Sequence, residues 1–202
     1  MLDGMSLKIS PGNSKIGGIP NLSFPPIVTC NPDIKCGKDC YALKAYCRWP
    51  SVKGAWDHNY KLYLEDSKRF FNDFCLFLAI EQPQRFRLFV GGDFPDQGFF
   101  YTMVDIVSTY KNTSFLCFTK QYDFVEPYVK YIPENFKVIL SMWPGMEVPD
   151  MTDYMPTAWL SCDDRAPLDK AHVKCPGKCD ECDYLCWDAV SVDLPVIFDK
   201  HR

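Results

Sequence analysis

The centre of the chain alternates between short apolar runs and longer stretches in which apolar residues recur at helical spacing. The short runs predict buried strands at residues 85–90, 114–118, 137–142 and 157–161. The helical spacing predicts helices over residues 97–110 and 123–131. Strands that alternate with helices in this way are typical of parallel βαβ units around a buried sheet.

The flanking regions have different patterns. Residues 52–81 carry aromatic and aliphatic side chains at helical intervals without a proline, which predicts one or two helices. Residues 7–26 contain four prolines and several glycines, which predicts turns and extended chain. The apolar tail at residues 190–198 should pack back on the domain, because leaving it in water would be costly.

These elements predict a single α/β domain over residues 1–202, built as a small or incomplete (βα) TIM-like barrel with parallel strands. Residues 1–50 form a cysteine-rich N-terminal segment, residues 51–162 the βα core, and residues 163–202 a cysteine-rich C-terminal segment.

Composition narrows the classes of function. With 202 residues, 47% of them hydrophobic, the chain can build a stable core without crosslinks, so its 11 cysteines are not needed as disulfides. No apolar run is long enough to span a membrane, and the 22 Lys and Arg are scattered in a chain of net charge -4, which gives no strong nucleic-acid signal. We expect a reducing cytoplasm, where clustered cysteines favour metal binding over disulfides.

The first cysteine cluster has the spacing Cys30-x5-Cys36-x3-Cys40, with Cys47 seven residues further on. Soft thiolate ligands select iron–sulfur clusters or zinc over hard cations. Three close thiolates can hold three corners of a [4Fe-4S] cubane and leave one iron for Cys47 or for an exogenous ligand. Cys47 lies on a predicted helix and is the weakest candidate of the group.

The second cluster is more compact, with the spacing Cys175-x3-Cys179-x2-Cys182-x3-Cys186. Four thiolates within twelve residues suit a closed [4Fe-4S] cluster with a structural or electron-transfer role. Zinc is the alternative, although a zinc ribbon usually offers two C-x2-C pairs and this segment has one. The spacing leaves open whether the two groups hold one centre or two.

Four further residues have side chains that could bind a metal. Cys75, Cys117 and Cys162 stand alone among apolar neighbours and are predicted to be core residues. His172 lies three residues before Cys175 and would replace a cysteine as ligand only if one of the four thiolates were not used.

Several short elements, in the same order along nearly the whole chain, resemble a family of bacteriophage proteins, the gene product 88 family. These elements are Gly12-Asn13-Ser14-Lys15, Thr29-Cys30, Cys36-x3-Cys40-Tyr41-Ala42, Gly92-Asp93-Phe94, Phe118-Thr119-Lys120, Leu140-Ser141, and Cys175-Pro176 with Cys179, Cys182, Cys186 and Trp187. The resemblance implies a phage-encoded protein of the host cytoplasm, with cysteine-ligated clusters and a fold reminiscent of a radical-enzyme half barrel. It implies no particular reaction.

Asp93 and Lys120 are the candidate cofactor-binding residues. Gly91-Gly92-Asp93 resembles the Gly-Gly-Glu element that contacts the cofactor's amino group in radical S-adenosylmethionine enzymes, and Lys120 could balance a carboxylate or a thiolate cluster. The alternatives are a glycine turn with Asp93 as a helix cap, and a solvated lysine. Because they follow strands, both residues should face one mouth together with Ser141.

Three functions remain open. The leading hypothesis is a [4Fe-4S] cluster-binding protein with a redox, electron-transfer or structural role and an electron-transfer or host protein as partner. The second is a radical S-adenosylmethionine-like enzyme that binds its cofactor beside Asp93, although the N-terminal cluster lacks the usual C-x3-C-x2-C motif of those enzymes. The third is a zinc-stabilised adaptor that binds a host protein. The sequence assigns no catalytic residue.

Overall fold

The computed structural model describes residues 4–33 and 35–200. These residues form a sheet of seven strands, β1 (Asn21–Leu22), β2 (Arg85–Leu88), β3 (Ser114–Thr119), β4 (Phe136–Ser141), β5 (Thr157–Leu160), β6 (Val173–Lys174) and β7 (Val196–Phe198). Every pairing between neighbouring strands is parallel, and the order across the sheet is β1-β2-β3-β4-β5-β7-β6. The predicted α/β class and parallel strands are confirmed.

The sheet is open. Within the described ranges β1 and β6 each have one neighbouring strand, so they are the two edges, and closure into a TIM barrel is not seen. Each edge strand is two residues long, and so short a ladder offers few hydrogen bonds with which two edges could pair.

The helices are α1 (Tyr41–Arg48), α2 (Pro50–Glu65), α3 (Ser67–Glu81), α4 (Gln97–Thr109), α5 (Tyr122–Val125) and α6 (Leu185–Asp188). Short 3-10 helices cover Lys35–Asp39, Glu126–Tyr131, Asp150–Asp153 and Asp180–Cys182. In the part of the chain that the structure describes, no helix is both long and apolar enough to cross a membrane.

Local chemistry explains where the helices differ from expectation. The region predicted as one or two helices is two, because Asp66 ends α2 and its carboxylate accepts a hydrogen bond from the backbone N–H of Arg69 at 2.9 Å, which caps α3. The helix predicted over residues 123–131 is one α-helical turn followed by a 3-10 helix, because Pro127 has no N–H with which to continue the α-helical ladder.

The two faces of the sheet bury different cores. Helices α2 to α5 cover one face with a large aromatic core that includes the fully buried rings of Phe24, Phe70 and Phe99. The other face carries a smaller core in which Trp187 and Val190 of the C-terminal segment pack on the strands. The predicted docking of the apolar tail is confirmed, since β7 inserts into the sheet between β5 and β6.

Candidate metal centre

A cavity of about 490 Å³ opens at the carboxyl ends of the strands. Its wall contains all seven cysteines predicted as ligands, namely Cys30, Cys36, Cys40, Cys175, Cys179, Cys182 and Cys186. The two cysteine groups reach it from opposite sides, because the N-terminal group (Cys30, Cys36, Cys40) follows edge strand β1 and the C-terminal group (Cys175, Cys179, Cys182, Cys186) follows edge strand β6.

The polar residues predicted to face one mouth also lie in this wall. Asp93, Lys120 and Ser141 all line the cavity. The ammonium of Lys120 donates a hydrogen bond to Ser141 Oγ at 2.8 Å, and the backbone N–H of Lys120 donates to Asp93 Oδ2 at 2.8 Å. Since the strands are parallel, the residues that follow them necessarily meet at this edge of the sheet.

Asp93 is a buried carboxylate that ties the ends of β2 and β3 together. Besides the bond from Lys120, its Oδ1 accepts hydrogen bonds from Thr119 Oγ1 at 2.6 Å and from the backbone N–H of Phe94 at 2.9 Å. Burial raises the pKa of Asp93, and these donors oppose that rise. Asp93 does not cap the next helix, because the side chain that accepts from the first turn of α4 is that of Asp96.

The two glycines before Asp93 are required by close packing. A Cβ on Gly91 would lie 2.3 Å from the ring of Trp56. Gly92 has a φ of +75°, and a Cβ there would lie 2.7 Å from both the carbonyl oxygen of Phe24 and Thr29 Oγ1. The Gly-Gly-Asp element therefore holds the loop that carries Cys30 against the end of β2.

Hydrogen bonds position this N-terminal loop. Ser23 Oγ accepts from the backbone N–H groups of Val90 and Gly91 at 3.1 and 3.3 Å. Thr29 Oγ1 accepts from the backbone N–H of Asp93 at 3.1 Å, and the Gln121 side-chain amide donates to the carbonyl of Thr29 at 3.1 Å. The loop is thus fixed by polar contacts to the ends of its neighbouring strands.

The thiols of the N-terminal group are half-buried. The backbone N–H of Ile27 donates to Cys30 Sγ at 3.3 Å, and Cys40 Sγ caps α1 by accepting from Leu43 N–H at 3.4 Å. Burial raises the pKa of Cys30 to about 12, and the nearby charge of Asp93 adds to the rise. Burial also raises the pKa of Cys36, where the charge of Lys120 acts in the opposite direction.

Strand pairing and apolar packing position the C-terminal group. The backbone N–H of Cys175 donates to the carbonyl of Ile197 at 2.9 Å, which extends the pairing of β6 with β7. Cys186 is buried in the smaller core beside Trp187. Burial raises the pKa of Cys186 to about 12 and raises that of Cys175, whereas the positive charge of Arg87 lowers both.

A short chain of contacts joins the two groups. The carbonyl of Lys15 accepts a hydrogen bond from the backbone N–H of Cys179 at 2.9 Å, and the ammonium of Lys15 lies 4.9 Å from the ring centroid of Tyr41, which follows Cys40. The hydroxyl of Tyr41 donates to the carbonyl of Val90 at 2.8 Å. Neither Tyr41 nor Arg87 was predicted as a site residue. The signal in the sequence for Arg87 is an arginine within an otherwise apolar strand.

The other candidate donors lie elsewhere. Cys47 is exposed on α1, and His172 Nδ1 is 2.8 Å from the carbonyl of Lys170 in its own loop. Cys117 is buried and Cys75 is half-buried in contact with the large core. The prediction that Cys162 is a core residue is wrong, because it is exposed in the turn that follows β5.

The thiols line the cavity without forming a finished coordination sphere. Over residues 4–33 and 35–200, no group of three or more His, Cys, Asp or Glu side chains is positioned to hold a metal ion.

These features define an α/β protein with an open parallel sheet and a cysteine-walled cavity at its carboxyl edge. The chain belongs to the gene product 88 family, whose model matches residues 7–144. The match includes the N-terminal cysteine group, Asp93 and Lys120, and it ends before the C-terminal group. Neither the curated proteins nor the solved structures contain a match to the chain.

Proposed function

We propose that this protein binds iron–sulfur clusters of the [4Fe-4S] type in the cysteine-walled cavity, in the cytoplasm of a phage-infected cell. The observation that carries the proposal is the convergence of seven cysteines from opposite edges of the sheet on one cavity. Thiolate sulfur is the donor that iron–sulfur clusters use, and a bound cluster supplies one-electron redox chemistry.

The size of the cavity supports a multi-atom group. A volume of about 490 Å³ is far larger than a single zinc ion needs when it is held by sulfur atoms at about 2.3 Å. The N-terminal group would provide three thiolates and leave one corner open, whereas the C-terminal group provides four and would close its own site.

The charge of the wall also supports the proposal. The cavity is lined by the cations Lys15, Arg87, Lys120, Lys178 and Lys200 and by the anions Asp39, Asp93 and Asp199, so this wall is positive in a chain whose net charge is -4. Cationic side chains stabilise thiolates and the negative charge of a thiolate-ligated cluster.

The experiment is anaerobic purification followed by measurement of iron, acid-labile sulfide and zinc per chain. We expect iron and sulfide in equal amounts, about four of each for one cubane or about eight for two. Changing Cys30, Cys36 and Cys40 to Ser should remove the iron of the N-terminal group, and changing the four C-terminal cysteines should remove the rest. Zinc without sulfide would overturn the proposal in favour of a zinc-stabilised adaptor for a host protein.

One observation favours a second candidate function, a radical S-adenosylmethionine-like enzyme. The three-cysteine group follows the first strand of the sheet, and its cavity is shared with Asp93 and Lys120, the candidate cofactor-binding residues. In this role the two residues would orient the charged amino-acid moiety of the cofactor. Addition of S-adenosylmethionine to the reduced protein should then change the EPR signal of the cluster. An unchanged signal would leave the redox, electron-transfer or structural role, with a partner protein for electron transfer.

A further inference from the structure

Arg87 is an unusual residue in the cavity wall. It lies on strand β2 and is nine-tenths buried, with its guanidinium carbon 4.3 Å from the ring centroid of Phe118. In the described part of the chain its Nε has no hydrogen-bond partner, and its guanidinium forms no salt bridge. A buried charge without a counter-ion is costly, so the position indicates an anionic occupant of the cavity.

Trp187 presents a second donor of the same kind. Its ring is 96% buried, it lines the same cavity, and its indole Nε1 is buried with no acceptor among the described residues. An indole N–H can only donate, and buried donors are normally paired. Two unpaired donors on one cavity wall therefore indicate an acceptor that belongs to the bound group.

Both donors lie on the side of the C-terminal cysteine group. Trp187 is adjacent to Cys186 in sequence and lies with it in the smaller core, and Arg87 stacks on Phe118, which packs against that core. Arg87 and Trp187 thus favour negative charge at the C-terminal group in particular.

We propose that Arg87 and Trp187 are positioning residues that donate to the sulfur atoms of a cluster held by the C-terminal cysteines and raise its reduction potential. The inference rests on the proposed function and adds to it the control of the cluster's redox chemistry. Reduction adds an electron to an already anionic group, and a nearby cation or N–H donor stabilises the more negative state.

Arg85 provides a matched control on the same strand. It is two residues before Arg87, so its side chain lies on the same face of the sheet, and it also stacks on an aromatic ring, with 4.4 Å from its guanidinium carbon to the ring centroid of Tyr184. Its Nε, like that of Arg87, has no hydrogen-bond partner among the described residues, but unlike Arg87 it is ion-paired, with 3.1 Å between Arg85 Nη2 and Asp188 Oδ2. Its charge is therefore already balanced within the protein.

The test is an EPR-monitored redox titration of the full chain after anaerobic reconstitution with iron and sulfide. The signal of the C-terminal group is the one lost in a Cys179→Ser, Cys182→Ser variant. We expect Arg87→Met to disfavour one-electron reduction about tenfold, a fall of about 59 mV in potential. Trp187→Phe, which keeps a ring and removes one N–H, should have a smaller effect of about fivefold. Arg85→Met combined with Asp188→Asn, which removes the whole ion pair and keeps the net charge, should leave the potential unchanged.

Arg87→Lys decides the case if Arg87→Met fails to fold or to load. An ammonium keeps the charge, so the potential of Arg87→Lys should stay close to that of the unaltered protein. The inference is overturned if Arg87→Met loads fully with an unchanged potential, or if Arg87→Lys shifts the potential as far as the tenfold change expected for lost charge. Absence of iron and sulfide from the unaltered protein would instead overturn the proposed function itself.

Discussion

The two cysteine groups share one cavity but are held in place by different forces. Backbone N–H groups that donate to the hydroxyls of Ser23 and Thr29, and the Gln121 amide that donates to the carbonyl of Thr29, fix the N-terminal loop to the ends of β2 and β3. Apolar burial of Trp187 and the pairing of β6 with β7 fix the C-terminal segment. Similar thiol donors can therefore be positioned by a polar network or by a small apolar core. Different substitutions should then displace the N-terminal and the C-terminal cysteine groups.

The largest expected loss of stability comes from a substitution in the C-terminal segment. Trp187→Ala removes a ring that is 96% buried in the smaller core, so it should lower the free energy of unfolding by about 3–5 kcal/mol. Trp49→Ala, in the N-terminal segment, removes a ring that is 52% exposed and should change it by less than about 0.5 kcal/mol. Urea unfolding of the metal-free chain measures both. Equal effects would contradict the claim that packing holds the C-terminal segment.

The next largest loss of stability comes from a substitution that removes the hydrogen bonds at the end of β2, beside the N-terminal cysteine group. Asp93→Ala would leave the hydroxyl of Thr119 and the backbone N–H groups of Phe94 and Lys120 without their acceptor, at a cost of about 2–3 kcal/mol. Iron held by the N-terminal group should fall, while iron held by the C-terminal group should not. Asp123→Ala, at an exposed position, is the control. Equal iron loss from both groups would show that the loop network serves the whole cavity.

A smaller loss of fold stability, without loss of iron from either cysteine group, is expected from a substitution at Asp163. Asp163, after β5, is buried and accepts hydrogen bonds from Arg165 Nε at 2.9 Å and Nη2 at 2.7 Å. The Arg165 guanidinium lowers the pKa of Asp163, so the pair stabilises the fold above about pH 4 and this stabilisation is lost as the pH falls through the lowered pKa.

Asp163→Asn should therefore cost about 1 kcal/mol at pH 7, and the difference from the unaltered protein should close as the pH falls below about 4. Unfolding free energies measured across this range, with iron content at pH 7, provide the test. Iron loss in Asp163→Asn would mean that the middle of the sheet also positions the cysteines.

The smallest expected effect concerns the contact between the groups. Tyr41→Phe removes the hydrogen bond from the hydroxyl to the carbonyl of Val90, and it keeps the ring beside the ammonium of Lys15. Because Tyr41 is 37% exposed, water can replace the lost donor, and the cost should be about 0.5 kcal/mol in urea unfolding. A cost above about 2 kcal/mol would show that Tyr41 couples the two groups.

Sequence patterns were sufficient to predict the longer strands and helices of the fold. The apolar runs that form β2, β3, β4 and β5 are visible because each has at least four residues, and α4 is visible because its helical spacing repeats over 13 residues. Strands β1, β6 and β7 have two or three residues each, too few to show a period, so the open edges of the sheet could not be predicted.

Part of the cavity wall was also predictable from the sequence. Asp93, Lys120 and Ser141 could be placed together because parallel strands share a carboxyl edge. Arg87 and Trp187 could not be assigned to the wall, since only the three-dimensional structure reveals that their donors are buried without acceptors. Cys162 was misassigned because apolar neighbours in sequence do not guarantee burial when the residue lies in a turn.

The order of strands at the C-terminal edge constrains when the cavity can form on the ribosome. Strand β6 pairs only with β7 among the described elements, so Cys175 is anchored by residues translated more than twenty positions later. A nascent chain that has exposed Cys175, Cys179, Cys182 and Cys186 still lacks the strand that fixes the first of them. Anchoring of this group should therefore follow synthesis of residues 196–198, whereas the N-terminal loop can dock as soon as β2 and β3 have emerged.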